Sequence, residues 1–187
     1  METNTFHVVP LNMLPSERAS GDVEEEKKFI RENILGKNNQ EIWDNERAKN
    51  ILSELGPDLN VNAFACNFRL LNGEWNQDVA EANYFNRRIV DALSIRSPST
   101  DISALPLIIV STEFLQDEYG ECATKLKDRM KLHRDDPTNL FVLRSVIMSA
   151  FSTDGGFVRE IAKGFQDAVE KEVTVGHKLT RLVSVPA

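Results

Sequence analysis

The segment Leu59–Leu70 constrains the fold more than any other part of this sequence. Alternate residues of a strand point to opposite faces of a sheet, and here one set is bulky and apolar while the other is small or polar. The two sets are Phe64, Cys66, Phe68 and Leu70 on one side and Ala63, Ala65, Asn67 and Arg69 on the other. A strand covered on both faces of a parallel sheet is typically apolar throughout. The segment therefore favours a two-layer α+β fold.

The remaining elements alternate between helix and strand, an order compatible with a parallel α/β sheet or with a two-layer α+β domain. Periodicity predicts helices over Gln77–Ser94 and Asp117–Leu132 and a last helix capped by Thr153 or Asp154. It predicts strands over Leu107–Phe114 and Leu140–Phe151, the latter apolar on both faces and hence central. We expect a small, mainly antiparallel sheet with helices packed on one face, and something else must cover the other face.

The chain divides into four predicted parts. Residues 1–21 form an N-terminal arm, residues 22–56 a helical lead-in with two helices, residues 57–176 the α+β domain, and residues 177–187 a tail. In the third part, a helical stripe of Tyr119, Cys122, Leu126 and Met130 predicts that Cys122 lies in the core.

Composition excludes several classes of function. The chain of 187 residues has 22 Lys and Arg against 29 Asp and Glu, a net charge of −7, whereas nucleic-acid binding needs a basic surface. No apolar run approaches the roughly 18 residues of a membrane span, and the start lacks the features of a signal peptide, so we expect a cytoplasmic protein. The two cysteines and three histidines are scattered, which predicts no metal site.

Motifs for familiar chemistry are absent from the sequence. It contains no phosphate-binding GxGxxG or GxxxxGK[ST] loop, no GxSxG and no HExxH. The informative polar residues lie on predicted strands: Asn67, Arg69, Glu113 and Arg144. Because a buried guanidinium needs a partner, Arg144 pairs either with a carboxylate such as Glu113 or with a bound anion.

Four stretches carry a family resemblance. They are Asn12–Glu17 (NMLPSE), Asn62–Arg69 (NAFACNFR), Asp78–Arg88 (DVAEANYFNRR) and Phe141–Arg144 (FVLR). Together they resemble the C-terminal small domain of pyridoxal-phosphate (PLP) group II amino-acid decarboxylases, most closely the fungal tyrosine and aromatic-amino-acid branch, over roughly Val9–Val173.

The resemblance implies an antiparallel sheet with helices on one face, the other layer belonging to the family's large domain. That domain carries the Schiff-base lysine, and none of the matching segments contains it. His177-Lys178 follows the last predicted helix and is not expected to replace it. We therefore expect a stand-alone domain that uses no cofactor and does not decarboxylate amino acids by itself.

Two functions follow from an uncovered sheet face. The first is a cofactor-free cyclase, isomerase or binder of a hydrophobic small molecule in fungal specialised metabolism. Its expected catalytic residues are Arg69, Arg144 and Glu113, and its expected substrate-binding residues are Asn67, Arg69 and Arg144, with Arg or Asn polarising a carbonyl. The alternative is a non-catalytic partner that forms a homodimer, or pairs with a full-length decarboxylase, through the same face.

Overall fold

The computed structural model of the chain describes residues 2–55, 61–95, 107–146 and 156–183. The chain forms two compact units. One, which we call the helical unit, is Asn12–Val61, and the other, the sheet unit, combines Met1–Leu11 with Asn62–Ala187. The start of the predicted arm thus belongs to the sheet unit.

The helical unit contains the predicted lead-in helices. Its helices are α1 (Pro15–Ala19), α2 (Val23–Asn33), α3 (Asn39–Trp43) and α4 (Glu46–Leu55). Asp22 caps α2 by accepting a hydrogen bond from the Glu25 N–H at 2.9 Å, as suits a helix N-terminus. The second of the two predicted lead-in helices is divided into α3 and α4. The break lies at Asn45, because its side chain accepts a hydrogen bond from the Ala48 N–H at 3.1 Å and caps the start of α4.

The sheet unit is built on one antiparallel sheet. Its described strands are β1 (Phe6–Pro10), β2 (Val61–Phe68), β3 (Val110–Phe114) and β4 (Leu140–Val146), in the order β1-β2-β4-β3. In β1 and β2, Phe6 lies opposite Phe68. The predicted α+β class and antiparallel sheet are confirmed, and β4 is central as predicted.

The helices of the sheet unit are α5 (Val79–Ala92), α6 (Gln116–Tyr119), α7 (Glu121–Arg129) and α8 (Phe157–Val183). One helix was predicted where α6 and α7 are separated by Gly120, whose φ of 48° lies in the left-handed region that glycine tolerates. Leu126 and Met130 are buried as predicted, and Ala123 rather than Cys122 is buried in the turn before them. Cys122 is exposed, and the prediction that it lies in the core is wrong.

Helices lie on both faces of the sheet. On one face, Cys66 and Leu143 belong to a buried cluster with residues of α5 and α8. On the other, Ala65 and Val142 are buried with Leu126 of α7. The face expected to lack a cover within this chain therefore carries α7, because small and branched strand residues there leave room for a helix. The expectation that helices pack on one face only is corrected in this respect.

Helix α5 is fastened to the two central strands by asparagine side chains one turn apart. The Cys66 N–H donates to Asn86 Oδ1 and Asn86 Nδ2 donates to the Cys66 carbonyl, both at 2.8 Å. In β4, the Phe141 N–H donates to Asn83 Oδ1 at 2.8 Å, and Asn83 Nδ2 donates to the Asn139 carbonyl at 2.7 Å. The two amides thus take the place of a neighbouring strand, which fixes the helix that carries the site described below.

Several predicted boundaries differ from the structure. Helix α8 continues to Val183, beyond the start of the predicted tail at 177. Strand β3 begins at Val110, three residues later than predicted. Residues 147–151 of the predicted strand Leu140–Phe151 and the predicted helix caps Thr153 and Asp154 lie outside the described residues. Among the described residues, none of the helices has the length and apolar character needed to cross a membrane.

Candidate functional site

A cavity of about 600 Å³ lies between α5, α8 and the turn that follows β2. Most of its wall is apolar, formed by Phe68, Leu70, Leu71, Phe85, Val173 and Val175. Pockets of this size and lining are typical of sites for small organic ligands. The cavity lies on the α5–α8 side of the sheet.

A few polar side chains interrupt the apolar wall. Glu81, Tyr84 and Arg88 come from α5, and their spacing of three and four residues places them along one side of the helix. Glu172 and His177 come from α8. Tyr84 is 59% exposed and lies at the mouth. Polar groups from two helices therefore converge on one apolar cavity.

Arg88 and Glu172 form an ion pair in the cavity wall. Arg88 Nε donates to Glu172 Oε2 at 3.0 Å, and the Glu172 side chain is 8% exposed while that of Arg88 is 40% exposed. Among the described residues, no hydrogen bond to the two terminal nitrogens of this guanidinium is observed. Arg88 is thus oriented through one nitrogen, and its terminal N–H groups face the cavity without a hydrogen-bond partner among the described residues.

His177 is oriented by the main chain. Its Nε2 lies 2.7 Å from the Arg69 carbonyl oxygen, and since a carbonyl only accepts hydrogen bonds, Nε2 carries the proton. In the neutral imidazole, Nδ1 is then the nitrogen that can accept a proton. A side chain held in one tautomer beside an apolar cavity is suited to act as a general base.

The predicted binding residue Asn67 makes its side-chain hydrogen bonds within the protein. It is fully buried on the face that α7 covers. Its Nδ2 donates to the carbonyls of Asn76 and Met130, both at 2.7 Å, and its Oδ1 accepts from the Phe68 N–H at 2.9 Å. These bonds fasten β2 to its surroundings.

Arg69 stabilises the turn after β2. Its Nη1 donates to the Gly73 carbonyl at 2.8 Å, and its guanidinium carbon lies 4.1 Å from the centre of the Trp75 ring. Trp75 in turn stacks on His7 at 4.2 Å between ring centres. Arg69 reaches the cavity only indirectly, through the carbonyl that orients His177.

Glu113 and Arg144 point to opposite faces of the sheet. Arg144 lies opposite Val110 and Glu113 opposite Phe141 in the β3–β4 pair, an odd offset that places the two side chains on different sides. Glu113 Oε1 instead lies 3.5 Å from Arg87 Nη2. The predicted Arg144–Glu113 ion pair is wrong, and the structure does not bring the four predicted site residues together.

The site residues predicted from the sequence do not include Arg88, Glu172 and His177, which converge at the cavity. Arg88 and Glu172 lie on two helices, and nothing in a single sequence pairs them across 84 positions. His177 was assigned to the tail, whereas it lies inside α8. The available signal was the row of polar residues Glu81, Tyr84 and Arg88 along one side of α5.

The comparison with protein families identifies the chain. The model of the tyrosine decarboxylase C-terminal domain matches residues 30–173. The chain belongs to the tyrosine decarboxylase C-terminal domain family. No curated protein matches it. The match includes Arg88 and Glu172 and ends before His177, so this tyrosine decarboxylase C-terminal domain completes its cavity with residues beyond the matched region.

Thiol and metal chemistry find no support at this cavity. Cys66 is a buried free thiol, and burial raises its pKa, which disfavours the reactive thiolate. In the part of the chain that the structure describes, no group of three or more His, Cys, Asp or Glu side chains is arranged to hold a metal ion. The polar side chains that line the cavity are Asn72, Glu81, Tyr84, Arg88, Glu172 and His177.

Proposed function

We propose that this domain binds a hydrophobic small molecule in the α5–α8 cavity and isomerises or cyclises it by acid–base chemistry without a cofactor. The observation that carries the proposal is the convergence of an oriented imidazole and an oriented guanidinium on an apolar cavity of about 600 Å³. This is the reaction class expected from the sequence, at a different place in the fold.

The two side chains have complementary roles. His177 Nδ1 removes a proton from a carbon next to a ligand carbonyl, and the electrons of the broken C–H bond move onto the carbonyl oxygen. The positive charge of Arg88 stabilises the negative charge of the resulting enolate. The imidazolium then returns the proton to another carbon, which completes an isomerisation. In a cyclisation, the enolate carbon instead attacks a second carbonyl carbon of the ligand, the π electrons of that C=O bond move onto its oxygen, and this oxygen takes the proton from the imidazolium. Positioned bases of this kind contribute about 10²–10⁴-fold.

Proton exchange tests the proposal without knowledge of the natural substrate. We expect the protein in D₂O to accelerate deuterium uptake at the benzylic carbon of phenylacetone, followed by NMR. His177→Gln should lose most of the acceleration, by about 10²-fold. The matched control is His133→Gln, which alters an exposed histidine outside the cavity lining and should leave the rate unchanged. A wild-type rate equal to that of the His177→Gln protein would contradict the catalytic proposal.

A second candidate function is pairing with another protein, either a second copy or a full-length decarboxylase. It is favoured by the exposed apolar side chains of Leu70, Leu71 and Tyr84 at the mouth of the cavity, since such patches commonly mark interaction surfaces. Light scattering tests the self-pairing form, and Leu71→Glu should then shift a dimer to a monomer. A wild-type protein that stays monomeric at the highest measured concentration would rule self-pairing out.

A further inference from the structure

We infer that the ligand of the α5–α8 cavity carries a carboxylate, which Arg88 binds through its two terminal nitrogens. This inference rests on the proposed function, because it assigns a chemical class to the molecule that occupies the cavity. It adds a residue that determines specificity, Arg88, and a residue that positions it, Glu172.

The first step of the argument is the orientation of the guanidinium. The bond from Arg88 Nε to Glu172 Oε2, at 3.0 Å, uses one of the five N–H donors. It sets the guanidinium plane and leaves the edge formed by the two terminal nitrogens. That edge has the fork geometry that matches a carboxylate with two parallel hydrogen bonds.

The second step is the burial of Glu172. Its side chain is 8% exposed, and an ionised carboxylate in such a place is costly without a partner. The Glu172 carboxylate therefore remains paired with Arg88, and this ion pair holds the guanidinium in the cavity wall. The neighbouring Arg87 shows the contrast, since its partner Glu113 is 54% exposed and the pair lies 3.5 Å apart.

The third step concerns the charge of the ligand. Glu81 and Glu172 already place two carboxylates in the wall beside the single guanidinium. A dianionic phosphate would meet more repulsion there than a monoanion. The apolar side chains of Phe68, Phe85 and Val173 surround the rest of the cavity. The matching class is thus a monocarboxylic acid with an aromatic or aliphatic body.

Three probes of one shape test the inference by calorimetry: 4-phenylbutyrate, the neutral 4-phenylbutanamide and the cationic 4-phenylbutylamine. We expect the carboxylate to bind about tenfold more tightly than the amide, as a charge-assisted bidentate contact requires, and the amine to bind most weakly. Arg88→Gln with Glu172→Gln, a double variant that removes both members of the ion pair together, should bind carboxylate and amide equally. The control Arg87→Gln should behave like the wild type.

Glu172→Gln alone tests positioning. It should lower the preference for carboxylate over amide while the affinity for the amide stays unchanged, a ratio that general loosening of the structure would not alter. An unchanged preference would overturn the role of Glu172.

The outcomes separate this inference from the function on which it rests. Equal binding of all three probes to the wild type would overturn the carboxylate class and leave hydrophobic binding intact. A carboxylate preference that survives the double variant would overturn the assignment to Arg88. Failure of every probe to bind would overturn both the inference and the proposed cavity function.

Discussion

Polar side chains on the two sides of the sheet differ in how completely they are hydrogen-bonded within the protein. On the side of α7, Asn67 and His7 are buried and bonded to main-chain carbonyls, among them that of Met130. On the side of α5 and α8, Arg88 and His177 are each fixed through one nitrogen and line an open cavity. The first arrangement stabilises the fold, and the second leaves hydrogen-bonding capacity for another molecule.

This difference in hydrogen bonding indicates which polar residues on apolar elements have a structural role and which can form a site. Asn67 satisfies its hydrogen bonds inside the protein because a buried amide without partners would be costly. Its position on a strand therefore says little about function. Arg88 and His177 indicate a site because the fold orients them without using all of their donors and acceptors.

The largest effect should come from Asn67→Ala. The change removes the donor to the Asn76 carbonyl and one of the two side chains bonded to the Met130 carbonyl, the other being His7. The loss of these buried hydrogen bonds should lower the free energy of unfolding by about 3 kcal/mol. Urea denaturation measures it. Asn72→Ala, in the exposed turn, is the control and should cost less than about 1 kcal/mol.

The affinity of Asn67→Ala for probes of the cavity gives a second test of its structural role. If Asn67→Ala keeps its stability but loses affinity for probes of the cavity, the division into a structural side and a binding side is incorrect. The predicted role of Asn67 in substrate binding would then return.

A smaller effect is expected from pH on the α7 side. Burial lowers the pKa of His7 below its usual 6.5, and the hydrogen bond to the Met130 carbonyl opposes this only in part. The unfolded chain thus binds the proton more readily than the folded one. The neutral His7 contributes its stability above pH 6.5 and loses it as the pH falls toward the lower folded-state pKa.

The slope of this loss is at most about 1.4 kcal/mol per pH unit. Denaturation of the wild type and His7→Gln between pH 7.5 and 5 measures it, because the difference between the two proteins isolates His7. We expect the wild type to lose more stability on acidification. Parallel curves would show that His7 protonates equally in both states.

The smallest effect is expected at Gly176, which lines the cavity within α8. A Cβ added there would meet no atom within 4 Å, and alanine is favoured over glycine inside a helix by about 0.5–1 kcal/mol. Gly176→Ala should therefore raise the free energy of unfolding by that amount in thermal denaturation. Gly73→Ala should do the opposite, because Gly73 has a φ of 87°. A loss of stability in Gly176→Ala would mean that the cavity wall is tightly packed.

Much of the fold was accessible from local patterns. The alternation in β2 and the apolar run of β4 predicted an antiparallel α+β sheet, and the helical lead-in predicted from residue 22 contains α2. Helix α5 was predicted within two residues of its bounds. The break at Gly120 was missed because the apolar spacing on either side imitates one continuous helix, and that error placed Cys122 in the core.

The site was harder to predict, for a physical reason. Glu172 and Arg88 belong to separate helices, and their pairing depends on how α8 crosses α5, which no spacing along the chain encodes. The predicted residues were polar positions on strands, chosen because a buried charge needs a partner. That argument does not apply to Arg144 and Glu113, because both side chains are exposed. The β3–β4 register places them on opposite faces of the sheet, and Glu113 pairs with Arg87.

The asparagine pair on α5 has a mechanical consequence for the cavity. Asn83 and Asn86 tie this helix to the main chain of both central strands, so hydrogen bonds as well as packing hold the wall bearing Tyr84 and Arg88 against the sheet. Adjustment to ligands of different size then falls to α8 and to the turn around Gly73. Relaxation measurements with probes of increasing bulk should find millisecond exchange in those two segments while the amides of α5 stay unbroadened.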